Sequence, residues 1–275
     1  MTMQRALSLL FHDVVPEGRW SESGFVSADA DLYKLSCDQF SKHLDCLQNN
    51  LSGEFTTAYQ VLDGTVSSDP YLLTFDDGGV SAATHIADML EEFGWRGHFL
   101  VTAGQVANPG FLTPAQMRDL QGRGHIIGSH SYSHPMLMAH CSDEQLRDEW
   151  HRSGEVLAEI LDAPIRVASV PGGHYSRAIA SAAAAAGIRL LFNSEPTTKT
   201  HVVDGCLVLG RFCVKRTHSP AWSGSIVAGS IAPRLREAVL WNSKKVVKNL
   251  LGEVWLKGRR KILEKRAANE RGRAS

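Results

Sequence analysis

Short apolar runs alternate with amphipathic segments along most of the chain. The runs at 7–11, 71–75, 97–102, 125–128, 165–170, 188–192 and 206–209 predict strands, and a weaker one is predicted at 56–59. Between them, apolar residues recur at helical spacing, and capping signals at Ser36, Thr113 and Ser142 mark helix starts. Because the strands are too far apart for hairpins, the pattern predicts parallel strands joined by helices.

About seven strand–helix units favour an α/β barrel over an open doubly wound sheet. In such barrels the active groups lie at the carboxyl ends of the strands. Polar residues follow four of the predicted strands at these ends, namely His12, Asp76 with Asp77, His130 and Ser169. We therefore expect these side chains to lie at one end of the barrel.

The adjacent carboxylates of Asp76 and Asp77 follow a strand that is predicted to be buried. Two neighbouring carboxylates are costly to bury unless a cation neutralises them, although a plain Asp-Gly turn is the alternative. His130 and His134, four residues apart, can share a face of a helical turn and bind one ion. One Asp and two His leave coordination positions open, which is typical of a catalytic metal, and the second Asp is then free to act as a base.

Two segments resemble the first two motifs of the polysaccharide deacetylase family, also called the NodB-homology domain or carbohydrate esterase family 4. They are TFDDG at 74–78 and GSHSYSHP at 128–135. Supporting segments that are similar to the family are FHDVV at 11–15, GHFLV at 97–101 and the stretch 117–128. The resemblance covers about residues 5–215.

This resemblance implies a distorted (β/α)7-type barrel that hydrolyses the N-acetyl group of an amino sugar with one divalent ion. Zinc is the usual ion of the family, and cobalt or another divalent ion is an alternative. By position, Asp77, His130 and His134 correspond to the metal ligands, and Asp76 corresponds to the catalytic base.

The later segments depart from the family pattern. Ser169 stands where the family commonly has the Arg that pairs with the base, and Arg211 stands where a general-acid His is expected. We hypothesise that Arg211 supplies, from another strand, the charge that Ser169 lacks. The general acid is left open among His12, His174 and His218.

Three further residues are candidates for substrate binding. Pro171 and Gly172 belong to the third segment of the resemblance, and Tyr132 lies between the two histidines of the second. The expected substrate is an amino-sugar glycan, or a lipid-linked or nucleotide-linked precursor of one.

The charge distribution separates a tail from the barrel. The chain has 275 residues and no net charge, but from Arg234 to Ser275 there are 13 Lys and Arg and 4 acidic residues, a net charge of +9. We predict a barrel domain at 1–232 and a basic helical tail at 233–275. The tail is either a helix packed on the barrel with a solvated end, or a basic amphipathic helix on an anionic membrane. It lacks any recognisable nucleic-acid-binding module, so no nucleic acid partner is expected.

Cysteine usage bears on the compartment. The five cysteines are scattered without a C-x-x-C pair, which is typical of reduced thiols. The apolar stretch at 6–11 is too short for a secretory signal. We therefore expect a cytoplasmic protein, either free or peripheral at the inner face of the membrane.

Two alternatives to the deacetylase remain open. Because Ser169 and Arg211 depart from the family pattern, the barrel could have lost catalysis and bind a carbohydrate or a partner protein. The same scaffold could also hydrolyse other non-peptide C–N bonds, such as those of cyclic amides.

Overall fold

The computed structural model describes residues 5–66 and 69–243. Across these residues, eleven strands form in chain order. They are β1 (Leu7–Phe11), β2 (Val14–Val15), β3 (Leu35–Ser36), β4 (Tyr71–Phe75), β5 (Gly97–Val101), β6 (Ile126–Ser129), β7 (Val167–Ser169), β8 (Leu190–Phe192), β9 (Thr200–Val203), β10 (Cys206–Leu209) and β11 (Phe212–Cys213).

Nine of these described strands form one sheet in the order β11-β1-β4-β5-β6-β7-β8-β10-β9. All neighbours run parallel except β10 and β9. An antiparallel bridge from Arg5 to Lys199 joins the start of β1 to the segment before β9. The sheet therefore curls toward a barrel, and β2 and β3 form a separate short parallel pair.

Helices lie between the strands, and one follows β11. The helices are α1 (Cys37–Asn50), α2 (Ala58–Leu62), α3 (Ala87–Glu91), α4 (Pro114–Gly122), α5 (Asp143–Leu161), α6 (Arg177–Ala185) and α7 (Pro220–Val227), and a π-helical turn at Ala82–Ile86 leads into α3. The predicted capping residues Ser36, Thr113 and Ser142 each accept a hydrogen bond from the backbone of the third helical residue.

The apolar core has two layers, as expected for strands buried on both faces. The larger cluster packs one face of the sheet against the surrounding helices. The smaller cluster fills the inside of the curled sheet and includes Leu72, Val167 and Leu209. Because side chains alternate along a strand, residues two and four positions beyond these three continue on the interior side. This periodicity directs Asp76, Ser169 and Arg211 toward the interior.

The strand predicted at 56–59 is wrong. These residues lead into α2, where Thr57 and Gln60 form a capping box, and Ala58 and Val61 cover the inner core cluster. The Thr-x-x-Gln spacing, a helix-start signal, outweighed the weak strand propensity.

The prediction of parallel strands throughout is also wrong at one edge. Strands β9 and β10 form an antiparallel hairpin that is turned by Asp204 (φ 48°) and Gly205 (φ 83°). Asp-Gly is a strong signal for a two-residue hairpin turn, because both positions tolerate positive φ.

The structure describes a further helix, α8, over residues 231–243, and this part packs on the barrel. The Arg234 guanidinium donates to the Ile226 carbonyl oxygen, with Nη2 2.6 Å from it. Glu237 lies 4.0 Å from Lys215 Nζ. The rest of the predicted tail, 244–275, lies outside the described residues. Within the described part of the chain, no helix is long and apolar enough to cross a membrane.

Candidate metal centre and carboxylate site

The polar residues at the strand ends meet as the topology predicts. Strands β4 and β6 flank β5, and β7 follows β6, so Asp76, Asp77, His130 and Ser169 lie at one edge of the sheet. Asp76 and His130 are almost completely buried, with exposed fractions of 5% and 2%. Carboxylates are rarely buried to this extent without charge partners.

Asp77 and Gly78 turn the chain sharply after β4. Asp77 has φ 78° and Gly78 has φ 84°, so both are in the left-handed region. A Cβ atom on Gly78 would lie 2.9 Å from Val101 Cγ1 and 3.0 Å from its Cα. Glycine is therefore required at 78 both by the backbone angle and by the close approach of β5. The turn separates the two carboxylates, which can then have different partners.

Asp77, His130 and His134 form a cluster of potential metal ligands. Asp77 Oδ1 lies 3.5 Å from His130 Nε2 and 3.4 Å from His134 Nε2. One ligand atom from each of the three residues lies within 4.8 Å of the others. Three ligands of the O, N, N type leave positions open for water and substrate, as in catalytic zinc sites. The donor set thus fits one divalent ion.

The two histidines do not share a helical turn, so that prediction is wrong. Residues 130–134 form a loop in which Ser131 (φ 62°) and His134 (φ 61°) are left-handed. Glu149 of α5 holds this loop by accepting hydrogen bonds from the backbone N–H of Tyr132 (2.9 Å) and Ser133 (2.8 Å). The Ser131 hydroxyl accepts another from the His134 N–H (3.2 Å). The loop brings both imidazoles to Asp77 without helical spacing.

Arg211 makes the contact with Asp76 that the sequence hypothesis requires. Arg211 Nη1 lies 2.7 Å from Asp76 Oδ1, and Nη2 lies 2.8 Å from Oδ2. The guanidinium is fully buried, and it also donates to the Asn193 carbonyl oxygen (2.9 Å) and the Thr74 hydroxyl (3.2 Å). This two-pronged pairing is the strongest hydrogen-bonding geometry available between these groups.

The Ser169 hydroxyl connects the base candidate to a metal-ligand candidate. It donates to Asp76 Oδ1 (2.9 Å), and its oxygen lies 2.6 Å from His130 Nδ1. Because its one proton is used toward Asp76, this oxygen must accept the Nδ1 proton of His130. The Nε2 lone pair of His130 is then left facing Asp77, which is the tautomer that can bind a metal.

The charge states suit a metal site. Burial would raise the pKa of Asp77, but the hydrogen bond from His134 and the charges of His12 and both cluster histidines hold it well below its usual range. Burial lowers the pKa of His130 to about 4, so this imidazole is neutral at pH 7. Burial also lowers the pKa of His134, but its hydrogen bond with Asp77 raises it more. A cation in place of the His134 proton would also oppose the effect of burial on the Asp77 pKa.

Asp76 is held ionised by a different set of groups. Burial alone would raise its pKa. The charge of Arg211 and its hydrogen bonds outweigh burial, so the pKa of Asp76 lies below its ordinary value. The Asp77 carboxylate thus belongs to the cluster of potential metal ligands, whereas the neighbouring Asp76 carboxylate is paired with the Arg211 guanidinium.

The remaining candidates are the three histidines that could act as the general acid, and their surroundings differ. His12 follows β1, and its charge contributes to the lowered pKa values of both Asp76 and Asp77. Its Nδ1 is buried without a hydrogen-bond partner among the described residues. His174 is buried behind the 3-10 turn Pro171–Gly173. His218 lies 4.0 Å from Glu237 of α8. Of the three histidines, His12 is therefore the one whose charge acts on both carboxylates.

The substrate-binding candidates have mainly packing contacts. Pro171 is buried, and a Cβ atom on Gly172 (φ 65°) would collide with the Met136 carbonyl oxygen. The turn at 171–173 therefore packs directly against the loop that carries His134. The Tyr132 ring lies under the Arg152 guanidinium, 3.8 Å from its carbon, so this contact covers one ring face.

Two residues that the sequence pattern did not single out shape the site. The Phe25 ring, in the segment between β2 and β3, lies 5.0 Å from the His134 ring. Lys34, 1% exposed, holds this loop by donating to the carbonyl oxygens of Trp20 (2.5 Å) and Phe25 (2.8 Å). An isolated aromatic residue in a polar loop was the available signal for Phe25.

Replacing Ser169 with Ala should weaken metal binding by about tenfold, because outer partners of a ligating imidazole typically contribute 10–100-fold. Loss of the hydroxyl removes the group that fixes the His130 tautomer. The measurement is titration of metal-free protein with zinc. The matched control is Ser223→Ala, which removes a buried hydroxyl paired 2.8 Å from His43 Nδ1 between α1 and α7. Equal zinc affinities in the two variants would contradict the assignment.

Comparison with known proteins shows what the segment that carries this site is similar to. The family model described as "Polysaccharide deacetylase" matches residues 63–191, which contain Asp76, Asp77, His130, His134 and Ser169. Over these residues the chain is similar to the polysaccharide deacetylase family. A relative is the polysaccharide-deacetylase-type protein YxkH of Bacillus subtilis (strain 168), which is 24% identical over 191 residues. That alignment covers 68% of this chain and 66% of YxkH, just under two thirds of its length.

Two solved structures share the fold of this chain. The Streptococcus pyogenes deacetylase PplD in complex with acetate has a TM-score of 0.65 at 18% identity, covering 78% of this chain and 95% of PplD. IcaB from Ammonifex degensii has a TM-score of 0.66 at 21% identity, covering 82% and 98%. The predicted fold class, a distorted (β/α) barrel of the NodB-homology kind, is confirmed.

Proposed function

We propose that this chain is a member of the polysaccharide deacetylase family and a metal-dependent hydrolase that removes the N-acetyl group from an amino sugar in a glycan or glycan precursor. The observation that carries the proposal is that the two adjacent carboxylates, Asp76 and Asp77, have different partners. Asp77 faces two imidazoles that converge on one point, whereas Asp76 is paired with Arg211 and Ser169. A protein that only bound sugar would have no need for a second ionised carboxylate beside a metal cluster.

Asp77, His130 and His134 would hold the divalent ion, for which zinc suits the N, N, O donor set and cobalt is an alternative. When bound, the ion would supply Lewis acidity toward the acetamide carbonyl and the attacking water. His130 would enter as a neutral ligand, because Ser169 and burial keep the proton on Nδ1.

Asp76 would take the proton of the attacking water. Its Oδ1 accepts from both Ser169 and Arg211, while Oδ2 accepts from Arg211 and lies 3.9 Å from His130 Nε2. Oδ2 therefore has the lone pair nearer to the cluster, and it is the oxygen that we assign as the base. Arg211 keeps this carboxylate ionised and fixes its orientation.

His12 would donate the proton to the leaving amine. It lies at the end of β1, the neighbour of β4, and carries a buried Nδ1 without a described partner. Position 211, where the resemblance leads us to expect the general acid, holds an Arg that is paired with Asp76. His12, at the end of β1, is the residue that we assign as its replacement.

His12→Gln should lower kcat by about 10²-fold or more, as expected for removal of a general acid, with metal affinity unchanged. The measurement combines steady-state acetate release with a zinc titration. His174→Gln is the comparison, because His174 is another candidate for the general acid. The decrease in kcat of this variant should be much smaller. Wild-type kcat in His12→Gln would remove His12 from the mechanism.

The experiment that tests the function is a substrate screen with the metal-loaded protein. Candidates are N-acetylhexosamine oligomers, lipid-linked amino sugars, nucleotide-linked amino sugars and cyclic amides. The proposal expects acetate and a free amine in equal amounts from at least one amino sugar. Ring opening of a cyclic amide without acetate would favour the alternative hydrolase, and sugar binding without any product would favour a binding protein.

A further inference from the structure

Helix α8 exposes an apolar stripe to solvent. Seven large hydrophobic residues are exposed in the described part of the chain, and four of them, Ile231, Leu235, Val239 and Leu240, lie on this helix. The first three recur at intervals of four and are 80%, 60% and 59% exposed. Residues four apart share one face of a helix, so these three form a continuous stripe, hereafter the α8 stripe. Contiguous exposed apolar surface of this kind typically marks an interaction site.

The opposite face of α8 is already used. Arg234 bonds the Ile226 carbonyl oxygen, Glu237 reaches Lys215, and a Cβ atom on Gly173 would lie 2.9 Å from the Trp241 ring. Positions 234, 237 and 241 also share a helical face. These contacts fix the rotation of the helix about its axis. The α8 stripe therefore points outward because the other face is anchored.

The charges next to the stripe indicate what covers it. Arg236 is exposed beside Leu235, and the sequence continues with Lys244, Lys245 and Lys248. From Arg234 onward the net charge is +9, whereas the rest of the chain carries −9. An apolar face bordered by cations matches an anionic lipid surface, where hydrocarbon and headgroups meet. A second copy packed stripe to stripe would bring two +9 segments together.

The anchored face connects α8 to the rim of the metal centre. Trp241 contacts Gly173 in the same turn that packs on Met136, two residues beyond His134. Met136 is itself 45% exposed, and Val26, beside Phe25, is 68% exposed. Six of the seven exposed large hydrophobic residues thus lie either on α8 or next to the site.

We infer that α8 docks this chain on an anionic lipid bilayer through the α8 stripe, with Arg236 on the headgroups. The Trp241 contact then holds the rim of the metal centre near the bilayer surface. The docking does not depend on the proposed reaction, because it requires neither the metal nor turnover.

The test is co-sedimentation of the full chain with vesicles, without substrate. One vesicle is phosphatidylcholine alone and the other is phosphatidylcholine mixed with phosphatidylserine. We expect binding to the mixed vesicles that weakens as salt rises. The affinity of the double variant Leu235→Glu/Val239→Glu for the mixed vesicles should be lower by a factor of about ten or more. The reason is that two of the three stripe residues no longer enter the apolar layer. Because both residues are exposed, its thermal unfolding should match that of the wild type.

The matched control is Val202→Glu on β9, where another exposed valine lies on the hairpin. This variant should bind the mixed vesicles like the wild type. Absence of wild-type binding, or equal binding by the double variant, overturns the inference. A wild-type dimer that the double variant converts to monomer, without vesicle binding in either, would overturn it in favour of a second copy.

Discussion

Replacing Asp76 with Asn should lower the rate of acetate release by about 10²- to 10⁴-fold, the range expected for loss of a general base. The divalent ion should remain bound, because Asp76 is not in the cluster of Asp77, His130 and His134. The measurement is kcat on the best substrate of the screen together with metal content. Wild-type turnover in this variant would exclude Asp76 as the base.

The same substitution has a structural effect that must be separated from the catalytic one. Asn offers Arg211 a single acceptor oxygen and no negative charge, so a fully buried guanidinium loses its charge partner. Breaking a buried ion pair in this way costs about 3–5 kcal/mol in unfolding free energy. The double variant Asp76→Asn/Arg211→Met removes both charges and should recover part of that stability without recovering activity.

Arg211→Met should strongly lower the stability of the protein. It leaves the Asp76 carboxylate buried without its cation, so we expect the free energy of unfolding to fall by about 3–5 kcal/mol. Urea denaturation measures this loss. Arg211→Lys keeps the charge but cannot form both bonds to the carboxylate, and it should lie between Arg211→Met and wild type. Equal stability of wild type and Arg211→Met would contradict the role assigned to the pair.

The pH dependence should change in a defined direction. In the wild type the folded-state pKa of Asp76 is lowered, so its stabilising effect is present above the unfolded value of about 3.9 and is lost as the pH falls below it. Without Arg211, the effect of burial is less opposed and the pKa rises. In any Arg211→Met protein that folds, the acid limb of the pH–rate profile should therefore move to higher pH.

Most of the barrel follows from local signals in the sequence. The apolar runs of β1, β4 and β5 and the capping boxes at Ser36 and Thr113 specify their elements without tertiary information. The elements that were missed have weak or competing signals. Residues 56–59 combine strand-like composition with a capping box, and the short β9–β10 hairpin depends on an Asp-Gly turn between two four-residue strands.

The candidate site was predictable to the extent that parallel strands align their carboxyl ends. Asp76, Asp77 and His130 directly follow β4 and β6, so topology alone brings them together. The loop geometry of His134 was not predictable, because it depends on two left-handed residues and on Glu149 from a later helix. The pairing of Asp76 with Arg211 spans 135 residues, and only the absence of the expected Arg at 169 suggested it.

The measurement that most directly tests the central claim is acetate release as a function of bound metal. Protein stripped with a chelator should be inactive, and stoichiometric zinc or cobalt should restore activity. Asp77→Ala should neither bind the ion tightly nor regain activity, whereas Asp76→Asn should bind it and stay inactive. Full acetate release by the stripped protein, or by either variant, would contradict the proposal that Asp77 binds the metal and Asp76 takes the proton.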